Sequence, residues 1–137
     1  MDERALMREA VAARNQSYSP YSSFMVGAAL LCKNGAVYRG CNIENAAYGP
    51  SNCAERTAFF KAVSEGARDF VAIAIAGWPK NGKPGFAWPC GVCRQVMIEF
   101  CDPAFRVIVG TGEDNCAVRM LGELLPEGFG PASLGNR

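Results

Sequence analysis

Asn52-Cys53-Ala54-Glu55-Arg56 and Pro89-Cys90-Gly91-Val92-Cys93-Arg94-Gln95 are the two stretches around which the chain reads. Together they carry three thiols and one carboxylate, with two of the thiols at i and i+3. Three soft ligands suit a zinc ion, and no fourth stands at a fixed spacing from them. Structural zinc sites close their tetrahedron with four protein ligands, whereas catalytic sites keep one position for water. The pattern therefore points to metal-activated water beside Glu55 as general acid and base.

Each stretch also opens a helical run. Ala54, Ala58, Phe59, Ala62 and Val63 fall on one apolar face, which predicts a helix from Cys53 to Glu65 that stops at Gly66. Asn52 is its expected N-cap, and Glu55 stands three residues on, where a capping-box partner belongs. A second helix is expected over Cys90 to Phe100, with Cys93, Val96, Met97 and Phe100 on one side. Cys53, Cys90 and Cys93 then lie in first turns, where unpaired N–H groups and the positive dipole end stabilise thiolate. Cys90 and Cys93 share a helix face, whereas a regular helix points Cys53 and Glu55 to different sides. One zinc(II) with three thiolates sums to a net charge of about −1, and a nearby cation offsets part of it. Arg56 is adjacent in sequence, and Arg94 is a second candidate.

Outward from these segments, Asp2 to Gln16 reads as a helix with Leu6, Ala10, Ala13 and Ser17 on one face, stopped before Pro20. The apolar run Phe24 to Cys32, the turn Asn34-Gly35 and the segment Ala36 to Cys41 predict a β-hairpin. Asn42 to Ser51 reads as a polar loop. Phe70 to Ala76 and Arg106 to Gly110 read as buried strands, Trp78 to Trp88 as a loop, and Ala117 to Met120 as a short edge strand. The tail beyond Leu124-Leu125-Pro126 reads as irregular. The alternation predicts an α/β class and a mostly parallel sheet entered by an antiparallel hairpin.

The chain has 137 residues, which fits one domain spanning residues 1–137. Half of the residues are hydrophobic and 20% are charged, so the composition argues against disorder. The net charge is +1 with no run of Lys or Arg, so no nucleic-acid partner is expected. The N-terminus lacks an apolar signal core and no stretch is long enough for a membrane span, so the protein reads as soluble and cytoplasmic. Seven cysteines, an odd number, argue for a reducing compartment rather than a disulfide framework. There is no histidine, which removes the commonest general base and the commonest zinc ligand together.

Plainer readings stand beside these. Cys-x-x-Cys alone also describes a redox dithiol, and Glu55 alone a capping residue. Cys32, Cys41, Cys101 and Cys116 read as ordinary buried thiols, and Phe59, Phe60 and Phe100 as core. A purely structural zinc module is the main competitor, and it needs Cys41 or another thiol as fourth ligand.

Four motifs carry a resemblance that runs from Tyr18 to about Phe129. They are Tyr-Ser-x-Phe-x-Val-Gly-Ala-Ala-Leu (Tyr21 to Leu30), Gly-Cys-Asn-Ile-Glu-Asn-Ala-Ala-Tyr (Gly40 to Tyr48), Asn-Cys-Ala-Glu-Arg-Thr-Ala (Asn52 to Ala58) and Pro-Cys-Gly-Val-Cys-Arg-Gln-Val (Pro89 to Val96). Glu123-Leu124-Leu125-Pro126 adds a closing segment. In this order they resemble the small, homotetrameric zinc cytidine deaminases of pyrimidine salvage. The resemblance implies a three-layer α/β/α fold around a central mixed five-stranded sheet. It implies one zinc ion per subunit, held by Cys53, Cys90 and Cys93, with Glu55 shuttling protons. It implies that Phe24 packs against the pyrimidine, that Ala54 also contacts the substrate, and that Asn42 and Glu44 hold the ribose hydroxyls. Tyr48 and Phe129 are implied to complete neighbouring subunits' sites in the homotetramer, although Glu127-Gly128 shifts the spacing before Phe129. The implied reaction is hydrolytic deamination of cytidine and 2′-deoxycytidine to the uridines plus ammonia. Two alternatives stay open: a related deaminase of another base-bearing molecule, and a non-enzymatic zinc-stabilised interaction module.

Overall fold

A computed structural model describes residues 1–136. Helix α1 (Glu3–Arg14) starts at Asp2, whose Oδ1 accepts from the Ala5 N–H at 2.8 Å and so satisfies one of the orphan donors of the first turn. Strands β1 (Phe24–Cys32) and β2 (Val37–Cys41) form the expected hairpin. Gly35 adopts φ 93° in its turn, which glycine reaches without a Cβ clash, and Asn34 Oδ1 accepts from Ala36 N–H at 3.0 Å. Helix α2 (Ala54–Ser64), strand β3 (Phe70–Pro79), helix α3 (Gly91–Phe100), strands β4 (Arg106–Gly112) and β5 (Asn115–Met120) and the short helix α4 (Leu121–Leu124) follow. A 3₁₀ turn over Pro131–Leu134 lies in the tail.

The five strands form one mixed sheet in the order β2-β1-β3-β4-β5. The expectation of a mostly parallel sheet is corrected: β3 and β4 are the one parallel pair, and the other three pairings are antiparallel. Parallel neighbours need a long crossover, and only α3 joins two adjacent strands in that way. Tight turns join β1 to β2 and β4 to β5, while α2 carries the chain over β1 so that β3 lies antiparallel on its far side.

Alternation along the strands divides the core into two layers. Ala72, Ala74 and Ala76 of β3 face α1 with Ala29, Leu31 and Ile108, against Leu6, Met7 and Ala10. Ile73 and Ile75 face the opposite side with Val107 and Val109, against Ala58, Phe59 and Met97 of α2 and α3. The alanine face lets α1 lie close to the sheet. A Cβ on Gly27 would stand 2.1 Å from the Arg14 nitrogen and 2.2 Å from the Ala10 oxygen. On the other side a Cβ on Gly40 would meet the Ala54 oxygen and the Ala58 nitrogen at 2.5 Å each. The first turn of α2 therefore rests directly on the backbone of β2. Phe59 is fully buried, with ring centroids of Phe70, Phe100 and Phe105 at 5.1, 6.0 and 6.0 Å. Phe60, expected in the core, is instead 48% exposed, since one residue further along a helix turns about 100° away.

Strand β3 also runs three residues past its expected end. Trp78 and Pro79, read from sequence as loop, pair with Met25 and Phe24 of β1. Arg14 braces this extension. Its Nε donates to Met25 O at 3.0 Å, its Nη2 donates to Trp78 O at 2.8 Å and Pro79 O at 3.2 Å, and its guanidinium lies 4.1 Å from the Trp78 ring centre. Burial with carbonyl rather than carboxylate partners lowers the pKa of Arg14.

Candidate active site

Both metal-site helices begin one residue later than their sequences suggest. Cys53 is the N-cap of α2 and Cys90 that of α3, and neither thiol caps its helix. Asn52 is therefore not the cap; its Nδ2 donates to Thr57 Oγ1 at 3.2 Å, and its backbone pairs with Ile43. Glu55, at the second helical position, is outside a capping box and is 6% exposed. The first turns keep their N–H groups beside thiols, which stabilises the ionised sulfur.

Cys53 Sγ lies 3.9 Å from Cys90 Sγ, and Cys90 Sγ lies 3.5 Å from Cys93 Sγ. All three sulfurs fall within 4.8 Å of one another and can hold a metal ion. Zinc–sulfur bonds of about 2.3 Å in a tetrahedron separate sulfurs by about 3.8 Å, close to the Cys53–Cys90 and Cys90–Cys93 separations. Among the described residues no fourth thiol or carboxylate joins this group. Cys41, the fourth ligand that a structural zinc module would need, donates instead to Gln16 O at 3.3 Å.

Arg56 is aimed at the sulfurs. Its Nη2 donates to Cys53 Sγ at 3.2 Å, and its buried Nε has no acceptor among the described residues. Arg94, the second candidate, is not at the sulfurs: its Nε donates to Pro89 O and its Nη1 to Leu124 O, both at 2.7 Å. A hydrogen bond from Cys93 and the Arg56 guanidinium bring the Cys53 thiol down to about 5. Cys93, buried and bonded to that thiolate, is pushed up. Burial raises Glu55 to about 7, and the Cys53 charge adds to the rise while Arg56 opposes it.

Cys53, Glu55 and Cys90 open onto a cavity of about 370 Å³. Its apolar side includes Phe24, Val26, Ile75 and Trp88, and Ala54 lies in its floor beside Cys53. Its polar end is formed by Asn42 and Glu44 with Ser22. Glu44 Oε1 accepts from the N–H groups of Tyr21 at 3.0 Å and Ser22 at 3.1 Å, and its Oε2 accepts from the Ser22 hydroxyl. That hydroxyl and the two N–H groups hold the Glu44 carboxyl below the usual carboxylate range. Asn42 Oδ1 accepts from Val26 N–H at 2.9 Å and from the Ser17 hydroxyl, while its Nδ2 donates to Phe24 O at 2.7 Å.

Tyr48 and Phe129 are not brought into this cavity. Tyr48 is 72% exposed over a shallow depression beside Glu44, with its ring edge-on to Tyr21 at 6.1 Å. Phe129 is 63% exposed, and its carbonyl accepts from Gln95 Nε2 at 2.7 Å. Ser22 and Trp88 line the cavity in addition to the residues expected from the sequence. The Ser22-Ser23 pair just before Phe24 was a signal for the first, and the position of Trp88 two residues before Cys90 for the second. Arg119 of β5 holds the Trp88 ring from outside, 5.5 Å from its centre.

Residues 1–111 match the family model of the cytidine and deoxycytidylate deaminase zinc-binding region. A cytidine deaminase of Halalkalibacterium halodurans is 53% identical over 129 residues, which cover 94% of this chain and 95% of that protein. The crystal structure of a cytidine deaminase from Burkholderia pseudomallei superimposes with a TM-score of 0.85 at 47% identity, covering 94% of this chain and all of that one. The crystal structure of cytidine deaminase from Mycobacterium tuberculosis matches at a TM-score of 0.79 and 36% identity, covering 95% of this chain and 98% of that one.

Proposed function

The chain belongs to the cytidine and deoxycytidylate deaminase zinc-binding family, and from that premise we propose that it hydrolyses the C4–N4 bond of cytidine and 2′-deoxycytidine. One water enters, and the corresponding uridine and one ammonia leave. The observation that carries this reading is three thiols at tetrahedral spacing beside a buried carboxylate, in a cavity with an aromatic wall and a polar far end.

Cys53, Cys90 and Cys93 would hold the zinc, which supplies the Lewis acidity that makes water a nucleophile at neutral pH. Glu55 accepts one proton of the attacking water and delivers it to ring N3, then takes the second from the new C4 hydroxyl and passes it to the departing amine as the C4 carbonyl forms. Burial keeps this carboxyl close to neutral pH in its affinity for protons, which suits a group that must both take and give one. Arg56 balances the charge of the thiolates. Phe24 stacks on the flat pyrimidine, and Ala54 lies beside it.

Acceptor counting supports the sugar assignment. A carboxylate offers about four acceptor sites, and the Tyr21 and Ser22 donors use three of those on Glu44. Asn42 has its oxygen filled and one N–H left over. One acceptor left on Glu44 and one N–H left on Asn42 suit the sugar hydroxyls, which can donate to the first and accept from the second. A negative charge at the sugar end also disfavours a 5′-phosphate, so free nucleosides are the preferred substrates.

The exposed rings of Tyr48 and Phe129 support a homotetramer in which neighbouring subunits close each other's cavities. A role in pyrimidine salvage in the cytoplasm follows from the same reading, without a nucleic-acid or membrane partner. No helix among the described residues is long and apolar enough to cross a membrane. The test is ammonia release from cytidine with and without a chelator. Release that stops on chelation and returns with zinc supports the proposal, and no release from the zinc-loaded protein overturns it.

A further inference from the structure

We propose that Ser22 is the positioning residue of the sugar end, the side chain that aims Glu44 at the substrate. The proposal rests on the reading of Glu44 as a sugar-hydroxyl acceptor. Its own basis is a bridge from Glu44 to the backbone of Phe24. The Ser22 hydroxyl donates to Glu44 Oε2 and accepts from the Phe24 N–H at 3.0 Å. The Ser22 N–H donates to Glu44 Oε1 at 3.1 Å, so one residue reaches both carboxylate oxygens. No other side chain donates to Glu44 among the described hydrogen bonds.

The turn that carries Ser22 is locked at several points. Ser23 adopts φ 59°, a left-handed conformation uncommon for a residue with a Cβ. Its N–H donates to Ser19 O at 3.0 Å, and its carbonyl accepts from Lys80 N–H at 2.7 Å. The serine is thus held by backbone contacts that do not depend on its own hydroxyl, and the hydroxyl is left to act on Glu44. Glu44 is otherwise a half-buried carboxylate on a loop. Without the serine hydroxyl its Oε2 can rotate or take up water, and the acceptor facing the sugar is no longer fixed.

The hydroxyl's effect should therefore appear only when the substrate carries the hydroxyl that Glu44 receives, which in a site that takes both cytidine and 2′-deoxycytidine is the 3′-hydroxyl they share. The experiment measures kcat and KM of the zinc-loaded wild type, Ser22→Ala and Ser22→Thr on 2′-deoxycytidine and on 2′,3′-dideoxycytidine. For Ser22→Ala the expected result is a KM for 2′-deoxycytidine raised about 10-fold, the scale of one charge-assisted hydrogen bond, with kcat changed less than about twofold. On the dideoxy substrate kcat/KM should change less than about twofold, and Ser22→Thr should restore most of the loss because it keeps the hydroxyl. An equal loss on both substrates would overturn the assignment and leave Ser22 a merely structural residue. Unchanged kinetics on both would overturn it as well. A wild type that handles the two substrates equally would remove the Glu44 subsite itself, and Ser22's role with it. That outcome is visible before any variant is made.

Discussion

Arg56 Nη2 donates to Cys53 Sγ at 3.2 Å, from the same first helical turn whose N-cap is the cysteine. The proposed metal ligand and its proposed counter-charge are thus fixed by one piece of backbone. The pairing matters because three thiolates leave a zinc site with net negative charge, which works against ionising water there. Replacing Arg56 with Met keeps much of the stem and removes the cation. Groups that support metal ligands in this way are typically worth about 10–100-fold in metal affinity or activity. Arg56→Met should fall in that range, read by competition with a zinc-binding dye and by kcat/KM on cytidine. Unchanged values for both would show that the contact is incidental.

Zinc should also stabilise the fold. Its proposed ligands join the starts of α2 and α3, two helices that share the core around Phe59 and Met97. A ligand that binds only the folded state, at 100 times its dissociation constant, adds about 2.7 kcal/mol. The midpoint of thermal unfolding should therefore drop on chelation and return when zinc is added back. A midpoint indifferent to chelator would contradict a site built by these three thiols.

Gly40 fixes the distance between β2 and the turn that presents Cys53 and Glu55. A Cβ there would stand 2.5 Å from backbone atoms of Ala54 and Ala58, which cannot step aside as a side-chain tip could. Gly40→Ala should destabilise the protein by about 1–3 kcal/mol or more, as overpacking commonly does. It should also lower kcat, because the displaced turn carries the acid. Chemical denaturation and steady-state kinetics check the two halves. A stable and fully active Gly40→Ala would mean that α2 is not seated on β2.

The surface ion pairs should matter far less. Arg39 holds Glu9 with two hydrogen bonds, of 2.8 and 3.2 Å, and joins α1 to β2. Its side chain is 48% exposed, so solvent and salt screen the attraction. Arg39→Ala should cost less than about 1 kcal/mol in a denaturant titration. A loss of several kcal/mol would mean that the pair braces the hairpin more than its exposure allows.

Much of this architecture was legible in the residues. Asn34-Gly35 between apolar runs gave the hairpin, and the period of Ala54, Ala58, Phe59 and Ala62 gave the buried face of α2. What escaped was set by contacts distant in sequence. Strand polarity depends on which side of β1 receives β3, and no local pattern encodes that choice. Trp78 and Pro79 read as loop, yet pairing with β1 and the grip of Arg14 hold them in the sheet. Asn52 is an ordinary N-cap by propensity, but a bridge to Ile43 draws it into the loop and moves the cap to Cys53. The three thiols and Glu55 were visible from motif and spacing. The fates of Arg56 and Arg94 were not, since both are arginines close to a cysteine and only the tertiary structure turns one toward sulfur and the other toward Leu124.

The central claim is that Glu55 moves the protons of the reaction, and ammonia release by zinc-loaded Glu55→Gln tests it most directly. Glutamine keeps the shape of the side chain but cannot exchange a proton at neutral pH. The account predicts a fall in kcat of at least about 10²-fold, the lower range for lost general acid/base catalysis, with one zinc per chain retained. Turnover of cytidine at the wild-type rate by that variant would contradict it.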